Sequence, residues 1–333
     1  MKLIVCGGAG FIGSNFVRQR VREHGDEVIV LDKLTYAGRP ENLQDLGDDV
    51  RLIEGAIEDP VKVDEALAGA RPDAIINFAA ETHVDRSISG PFAFEETNVR
   101  GTMVLLEAAR RAEVARYVQI STDEVYGSIE EGSFTEESPI VPSSPYSATK
   151  AGGDLVVQSY FHTYGMETVI CRGSNNYGPY QYPEKLIPLM VLNALHDDAL
   201  PVYGDGLNVR NWLYVEDFGR GISHVLANGE PGEVYNVGGP SECTNMEVVR
   251  AILEQTGKDE SLIEYIRDRP GHDRRYSLGS EKVRALGWEP QVSFEEGLEQ
   301  TVAWYRENDW WWEPIRSGAY REYYERHYGK SLG

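Results

Sequence analysis

The apolar run Leu3-Ile-Val-Cys6 breaks into Gly7-Gly-Ala-Gly-Phe-Ile-Gly13, and this junction constrains the fold more than any other feature of the chain. Gly7 and Gly10 permit a tight turn and close approach of a pyrophosphate, and Gly13 lets the next helix pack on the sheet. The N-terminus of that helix favours phosphate. A glycine-rich run alone is weak evidence. Here it follows a strand, opens a helix running to about His24, and precedes a second strand, Glu27 to Leu31, that ends at Asp32, 19 positions after Gly13. Asp32 in that place accepts hydrogen bonds from an adenosine ribose and repels a 2′-phosphate, which predicts NAD over NADP. Lys33 beside it points the other way.

Further apolar runs at 50–53, 74–77, 117–121 and 168–171 alternate with helical stretches, one of them opened by Asp59-Pro60 as cap and first helical residue. Strand alternating with helix predicts an α/β fold, a doubly wound parallel Rossmann sheet. After Arg172 the pattern turns irregular and rich in Asn, Pro and Tyr. The expected organisation is an NAD-binding domain over 1–172, completed by segments around 209–228, with 173–333 forming mainly a smaller C-terminal α/β substrate lobe. Near its end, Ser293-Phe-Glu-Glu296 reads as a capping box for a helix whose Phe294, Leu298, Val302 and Tyr305 share one stripe.

Composition narrows the function. No stretch approaches the roughly 20 apolar residues of a membrane span, so a cytoplasmic protein with no membrane partner is expected. Cys6, Cys171 and Cys243 are widely spaced and odd in number, which suggests reduced thiols rather than disulfides, and no metal site. A formal charge of −22 excludes general nucleic-acid binding, which needs a basic surface. Lysines make up only 8 of the 32 basic residues, and the acidic excess would suit a high-salt cytoplasm that screens self-repulsion.

The chemistry is concentrated in Ser121-Thr122-Asp123-Glu124-Val125-Tyr126-Gly127 and Tyr146-Ser-Ala-Thr-Lys150. Tyr146 and Lys150 lie one helical turn apart on one face, so the ammonium is expected to lower the phenol from about 10 toward neutrality. Such a pair serves proton exchange at a sugar hydroxyl. The adjacent carboxylates are more than a plain dehydrogenase needs and point to loss of water. An Asp serving as acid must be held protonated by burial and by its neighbour's charge. Consecutive strand residues face opposite ways, so the backbone must leave strand geometry after Thr122 for both to serve one site.

These motifs, with Asp32-Lys-Leu-Thr-Tyr-Ala-Gly38, Phe78-Ala-Ala-Glu-Thr-His-Val-Asp-Arg-Ser87, Asn175-Asn-Tyr-Gly-Pro179, Pro183-Glu-Lys-Leu-Ile-Pro188 and Arg269-Pro-Gly-His-Asp273, resemble the extended short-chain dehydrogenase/reductase family, and within it the dTDP-glucose 4,6-dehydratases, over essentially the whole chain. The resemblance implies a homodimer joined through helices near 91–112 and 146–163, and a dTDP-glucose substrate. It implies three stages: oxidation at carbon 4 with Tyr146, Thr122 and Lys150; elimination with Glu124 as base at carbon 5 and Asp123 as acid at carbon 6; and hydride return to carbon 6. For the cofactor it implies Phe11, Ile12, Lys33, Leu34, Thr35, Ala56, Ile57, Phe78, Ala79, Ala80, Thr82, Thr97 and Asn176. For the nucleotide sugar it implies Glu81, Asn175, Lys185 and Leu186, with Arg210 and Asn245 at the pyrophosphate, Pro201, Val202 and Tyr203 around the base, and Asp268 to His272 near the nucleotide. His83 and Asp85 are expected to be structural. Four positions depart from the pattern: Cys6 for Thr, Thr82 for Ser, Asn211 for Asp and Phe218 for His. The alternatives are another nucleotide sugar (UDP or CDP), a UDP-sugar 4-epimerase or decarboxylase, which has no use for Asp123 as acid, and a silent NAD-binding scaffold.

Overall fold

The computed structural model describes residues 1–268 and 272–317. Strand β1 (Lys2–Cys6) leads through the glycine turn into α1 (Phe11–His24); β2 (Glu27–Asp32), β3 (Val50–Glu54), α2 (Pro60–Leu67) and β4 (Ala74–Asn77) follow. Short helices α3 (Val84–Ser89) and α4 (Pro91–Glu95) run through a wide turn at Glu96–Gly101 into α5 (Thr102–Arg111), then β5 (Arg116–Thr122), the long α6 (Pro145–Tyr164) and β6 (Thr168–Gly173). Beyond lie β7 (Asn175–Tyr177), α7 (Leu186–Leu195), β8 (Leu200–Tyr203), β9 (Val209–Tyr214), α8 (Val215–Asn228), β10 (Val234–Val237) and β11 (Ser241–Thr244). The described chain closes with α9 (Asn245–Thr256), β12 (Ile263–Ile266), α10 (Glu281–Arg284), α11 (Phe294–Glu307) and α12 (Asp309–Ser317).

Seven parallel strands form the central sheet in the order β3-β2-β1-β4-β5-β6-β10. Its inner strands are buried on both faces, which is why Leu3–Cys6 and Val28–Leu31 read as unbroken apolar runs. Phe16 and Val17 of α1 join Phe218 and Ile222 of α8 on one face; Val63 of α2, Leu105 of α5 and Val157 of α6 cover the other. The chain leaves β1 toward β2 on one side and later returns to β4 on the other. Helices therefore diverge at the strand C-termini and open a crevice there.

Residues 209–228 divide: α8 packs on the central sheet, whereas β9 joins a three-stranded sheet, parallel to β7 and antiparallel to β11. The seventh central strand is β10, a four-residue segment well past residue 172. A separate core gathers α7, α9 and α11 around β8 and β9. Both caps read from sequence are present: Asp59 accepts from the Val61 amide at 2.9 Å, and Ser293 and Glu296 bond reciprocally. The Phe294, Leu298, Val302 and Tyr305 stripe is buried. Cys6 and Cys171 lie fully buried on central strands, while Cys243 is only partly covered on β11. Among the described residues, no helix is long and apolar enough to cross a membrane.

Candidate active site

The glycine turn lines one end of a crevice of about 320 Å³. Gly7 has φ +73°, and a Cβ there would lie 2.5 Å from the Ala79 amide nitrogen; at Gly13 it would lie 2.2 Å from the Gly7 carbonyl oxygen. Backbone thus approaches backbone where only hydrogen fits. Asp32, at the end of β2, is buried and accepts from the amides of Ala9 and Leu34, each at 2.9 Å, and burial raises its carboxyl. Lys33 pairs with Glu58 at 2.5 Å.

Around the same crevice stand Gly10, Phe11, Ile12, Lys33, Thr35, Ile57, Phe78, Ala79, Ala80, Glu81, Thr82, Thr97, Asn175, Asn176 and Lys185. Leu34 contributes its backbone N–H to Asp32 but does not line the crevice, and Ala56 stands beside it in the β3–α2 loop.

At the other end, β5 stops at Thr122 and the chain turns into a short 3₁₀ helix, Asp123–Tyr126, as the carboxylate pair requires. The Thr122 hydroxyl caps this turn, accepting from the Glu124 amide at 3.2 Å, and donates to Asp123 Oδ1 at 3.2 Å. Asp123 is 2 % exposed, and its Oδ2 is buried with no partner. Burial first and the Glu124 charge second push its carboxyl up to about 7, against a weaker opposite pull from the Thr122 hydroxyl and Arg210. An aspartic acid that keeps its proton near neutrality is what the sequence reading demanded.

Tyr146 and Lys150 are both buried on α6 and both line the crevice. The expected direction for Tyr146 is reversed. Burial, then Glu124, raises the phenol above its usual range, with a hydrogen bond from Thr122 opposing them. The Lys150 ammonium donates to the Ile120 carbonyl at 2.7 Å. Burial lowers Lys150 to about 8, and nearby Asp154 acts to keep it charged. Helical spacing revealed that the two were neighbours; it could not reveal that desolvation outweighs their attraction.

Beneath this pair lies a polar network that the sequence reading missed. Asp154, fully buried, accepts from Ser121 Oγ at 3.0 Å and Arg172 Nε at 2.9 Å; Arg172 also donates to Tyr126 at 2.8 Å, and Tyr126 to Asn236 at 2.9 Å. Asp154 follows Lys150 by one helical turn, and that spacing was the available signal.

Arg210, Asn245, Tyr203, Asp268 and His272 do not line the crevice; the Asn245 amide bonds the Asn208 carbonyl, and the Asn208 side chain, like Arg210, donates to the Asp273 carbonyl. Arg210 donates to the carbonyls of Val209 and Asp273 at 2.7 and 3.0 Å and lies 4.3 Å over the Tyr276 ring; its charge reaches Asp123. Asn245 opens α9 with a buried, unpartnered Oδ1. His272 meets Asp268 at 2.6 Å and its ring lies 6.1 Å from that of Tyr203. Pro201 and Val202 are buried within β8, leaving Tyr203 the open member of that trio, and Leu186 is half-buried at the start of α7. Arg269 to Gly271 lie outside the described residues.

His83 is buried 3.6 Å from Glu184, which also accepts from Tyr36 at 2.8 Å and pairs with Arg86 at 3.3 Å. Asn211 bonds through its amide to Gly239 in both directions and to the Ser241 carbonyl, donations that an aspartate could not make. Phe218 is buried against Gly173 at the crevice floor.

A glycine turn at the start of a parallel sheet, an acidic end to β2 and a Tyr/Lys helix over one crevice define a Rossmann-type enzyme of the dehydrogenase kind. More narrowly, the chain belongs to the GDP-mannose 4,6 dehydratase family, whose model matches residues 4–301. It is 51 % identical to a dTDP-glucose 4,6-dehydratase of Streptomyces niveus, over 95 % of this chain and 96 % of that one. It is 52 % identical to the low-salt glycan biosynthesis protein Agl12 of Haloferax volcanii, over 93 % and 100 %. A crystal structure of DesIV, a dTDP-glucose 4,6-dehydratase from Streptomyces venezuelae with NAD and dTDP bound, superposes with a TM-score of 0.92 at 54 % identity, covering 95 % of this chain and 100 % of that one.

Proposed function

We propose that this chain converts dTDP-glucose to dTDP-4-keto-6-deoxyglucose and water, using NAD that is regenerated in each turnover. The observation that carries this reading is Asp123, held near pKa 7 beside Glu124 in the same crevice as Tyr146 and Lys150. An epimerase or decarboxylase has no use for such an acid.

The crevice fits the cofactor. Gly7 and Gly13 leave backbone bare where a Cβ would collide, and Asp32 offers a buried carboxylate at the adenosine end. When bound, NAD supplies reversible hydride acceptance. Tyr146 exchanges the proton of the hydroxyl on carbon 4; the Thr122 hydrogen bond and the Lys150 charge favour its phenolate against the burial that keeps it protonated. Once carbon 4 is a ketone, the hydrogen on carbon 5 is acidic and Glu124 removes it. Asp123 gives its proton to the hydroxyl on carbon 6, which leaves as water. Arg210 and Asn245 hold the pyrophosphate, Tyr203, Asp268 and His272 face the base side, and Glu81, Asn175 and Lys185 face the sugar. In this reading residues 1–172, completed by α8 and β10, carry the cofactor, and the rest of 173–333, β9 with Arg210 included, mainly the nucleotide sugar.

Incubation of the protein with dTDP-glucose tests it. The expected result is a 4-keto product, seen by its alkali-induced absorbance, without net release of NADH. Inert dTDP-glucose beside a reactive UDP- or CDP-sugar would move the assignment of the base. The reading also places the protein in the cytoplasm as a homodimer, for which exposed Phe92 on α4, Met103 on α5 and Leu155 on α6 supply an apolar surface. Sedimentation showing a monomer would overturn that assembly.

A further inference from the structure

Two cations stand in the loop after β2, where a 2′-phosphate on the adenosine ribose would arrive, and both are already engaged. Arg39, whose amide bonds the Ala9 carbonyl of the glycine turn, sends its guanidinium to the Trp311 carbonyl at 2.8 Å and to Glu41 at 3.3 Å. Lys33 lines the crevice directly after Asp32, and its ammonium meets Glu58 Oε1 at 2.5 Å. The Glu58 side chain is 11 % exposed, against 52 % for Lys33. The carboxylate is thus the fixed member and the lysine the tethered one. Asp32 alone does not account for the selectivity, because a free ammonium next to it would offset its repulsion of a phosphate.

We propose that Glu58 is a specificity-determining residue that excludes NADP by withholding Lys33 from the 2′-phosphate. With Glu58 charged, Asp32, Lys33 and Glu58 carry one net negative charge where the 2′-phosphate would sit. With Glu58 neutral, the trio carries none and the ammonium is free to turn to the phosphate. The loop therefore holds the cations of an NADP site but keeps them occupied.

The proposal rests on the NAD reading above, and cofactor binding tests it apart from turnover. Dissociation constants of NAD and NADP are measured by calorimetry on the full chain for the wild type, Glu58→Gln, Lys33→Met and the double variant. Glu58→Gln should improve NADP relative to NAD by on the order of fivefold, the scale of one exposed ion pair. The gain should vanish in Glu58→Gln/Lys33→Met. An unchanged ratio in Glu58→Gln, or a gain that survives loss of Lys33, would overturn the assignment while leaving the NAD reading intact. A wild type that binds neither dinucleotide would overturn both.

Discussion

Two aspartates lie buried in unlike settings, Asp154 on the helix that bears Tyr146 and Lys150 and Asp123 in the turn after β5, and their surroundings make them different reagents. Asp154, on α6, accepts from Arg172 and Ser121, and through Arg172 and Tyr126 it ties the helix to the turn that bears Asp123 and Glu124. Asp123, at the crevice, receives one hydroxyl bond, faces a second carboxylate and forms no ion pair among the described residues. A carboxylate whose burial is matched by a guanidinium becomes a strut. One whose burial is left uncompensated becomes an acid poised near neutrality. Burial alone therefore says little about role; the partner decides.

Replacing Asp123 by Asn breaks the contrast most severely. Turnover should fall by roughly 10²- to 10⁴-fold, the usual worth of a general acid. Sugar oxidation should persist, visible in a spectrophotometer as enzyme-bound NADH that is not consumed. On the other side, Asp154→Asn leaves Arg172 charged and unpaired in the core, and chemical denaturation should register a loss of about 3–5 kcal/mol. Asp154→Leu/Arg172→Met should recover most of that loss, and failure to do so would deny the pair its role as a balanced strut.

Proton linkage sharpens the comparison. The folded carboxyl of Asp123 sits at about 7, above its unfolded value. Wild-type stability should therefore decline between about pH 4 and pH 7 by up to about 4 kcal/mol relative to Asp123→Asn, and then level off. Catalytic rate should fall as pH rises through about 7, where the acid form is lost; a profile flat through that range would refute the assignment. Salt gives the smallest effect. With a net charge of −22, the melting temperature should rise on adding sodium chloride, because exposed repulsion is screened while the buried groups, and so the pH limb, stay where they are.

What the sequence made legible was local. Gly7 to Gly13, Asp32 and the Tyr146/Lys150 pair reveal themselves by spacing within one turn or one helix, and the need for a break after Thr122 follows from strand geometry. Contacts between distant segments were hidden: Lys33 with Glu58, Asp154 with Arg172, and the approach of Arg210 to Asp123. The strand Val234–Val237 is too short to announce itself as the seventh of a sheet. Tyr146 shows the limit in energetic form, since a one-dimensional pattern records which charges are neighbours but not how much water is lost around them.

The last described helix reaches back to the first turn of the chain. Trp311 donates to Asn42 at 2.7 Å, Asn42 donates to the Ala9 carbonyl at 2.7 Å, and Arg39 closes onto Trp311 from the same loop. The glycine turn thus gains its final brace from a segment far along the chain, so during synthesis this end of the crevice can set only after residue 311 has emerged.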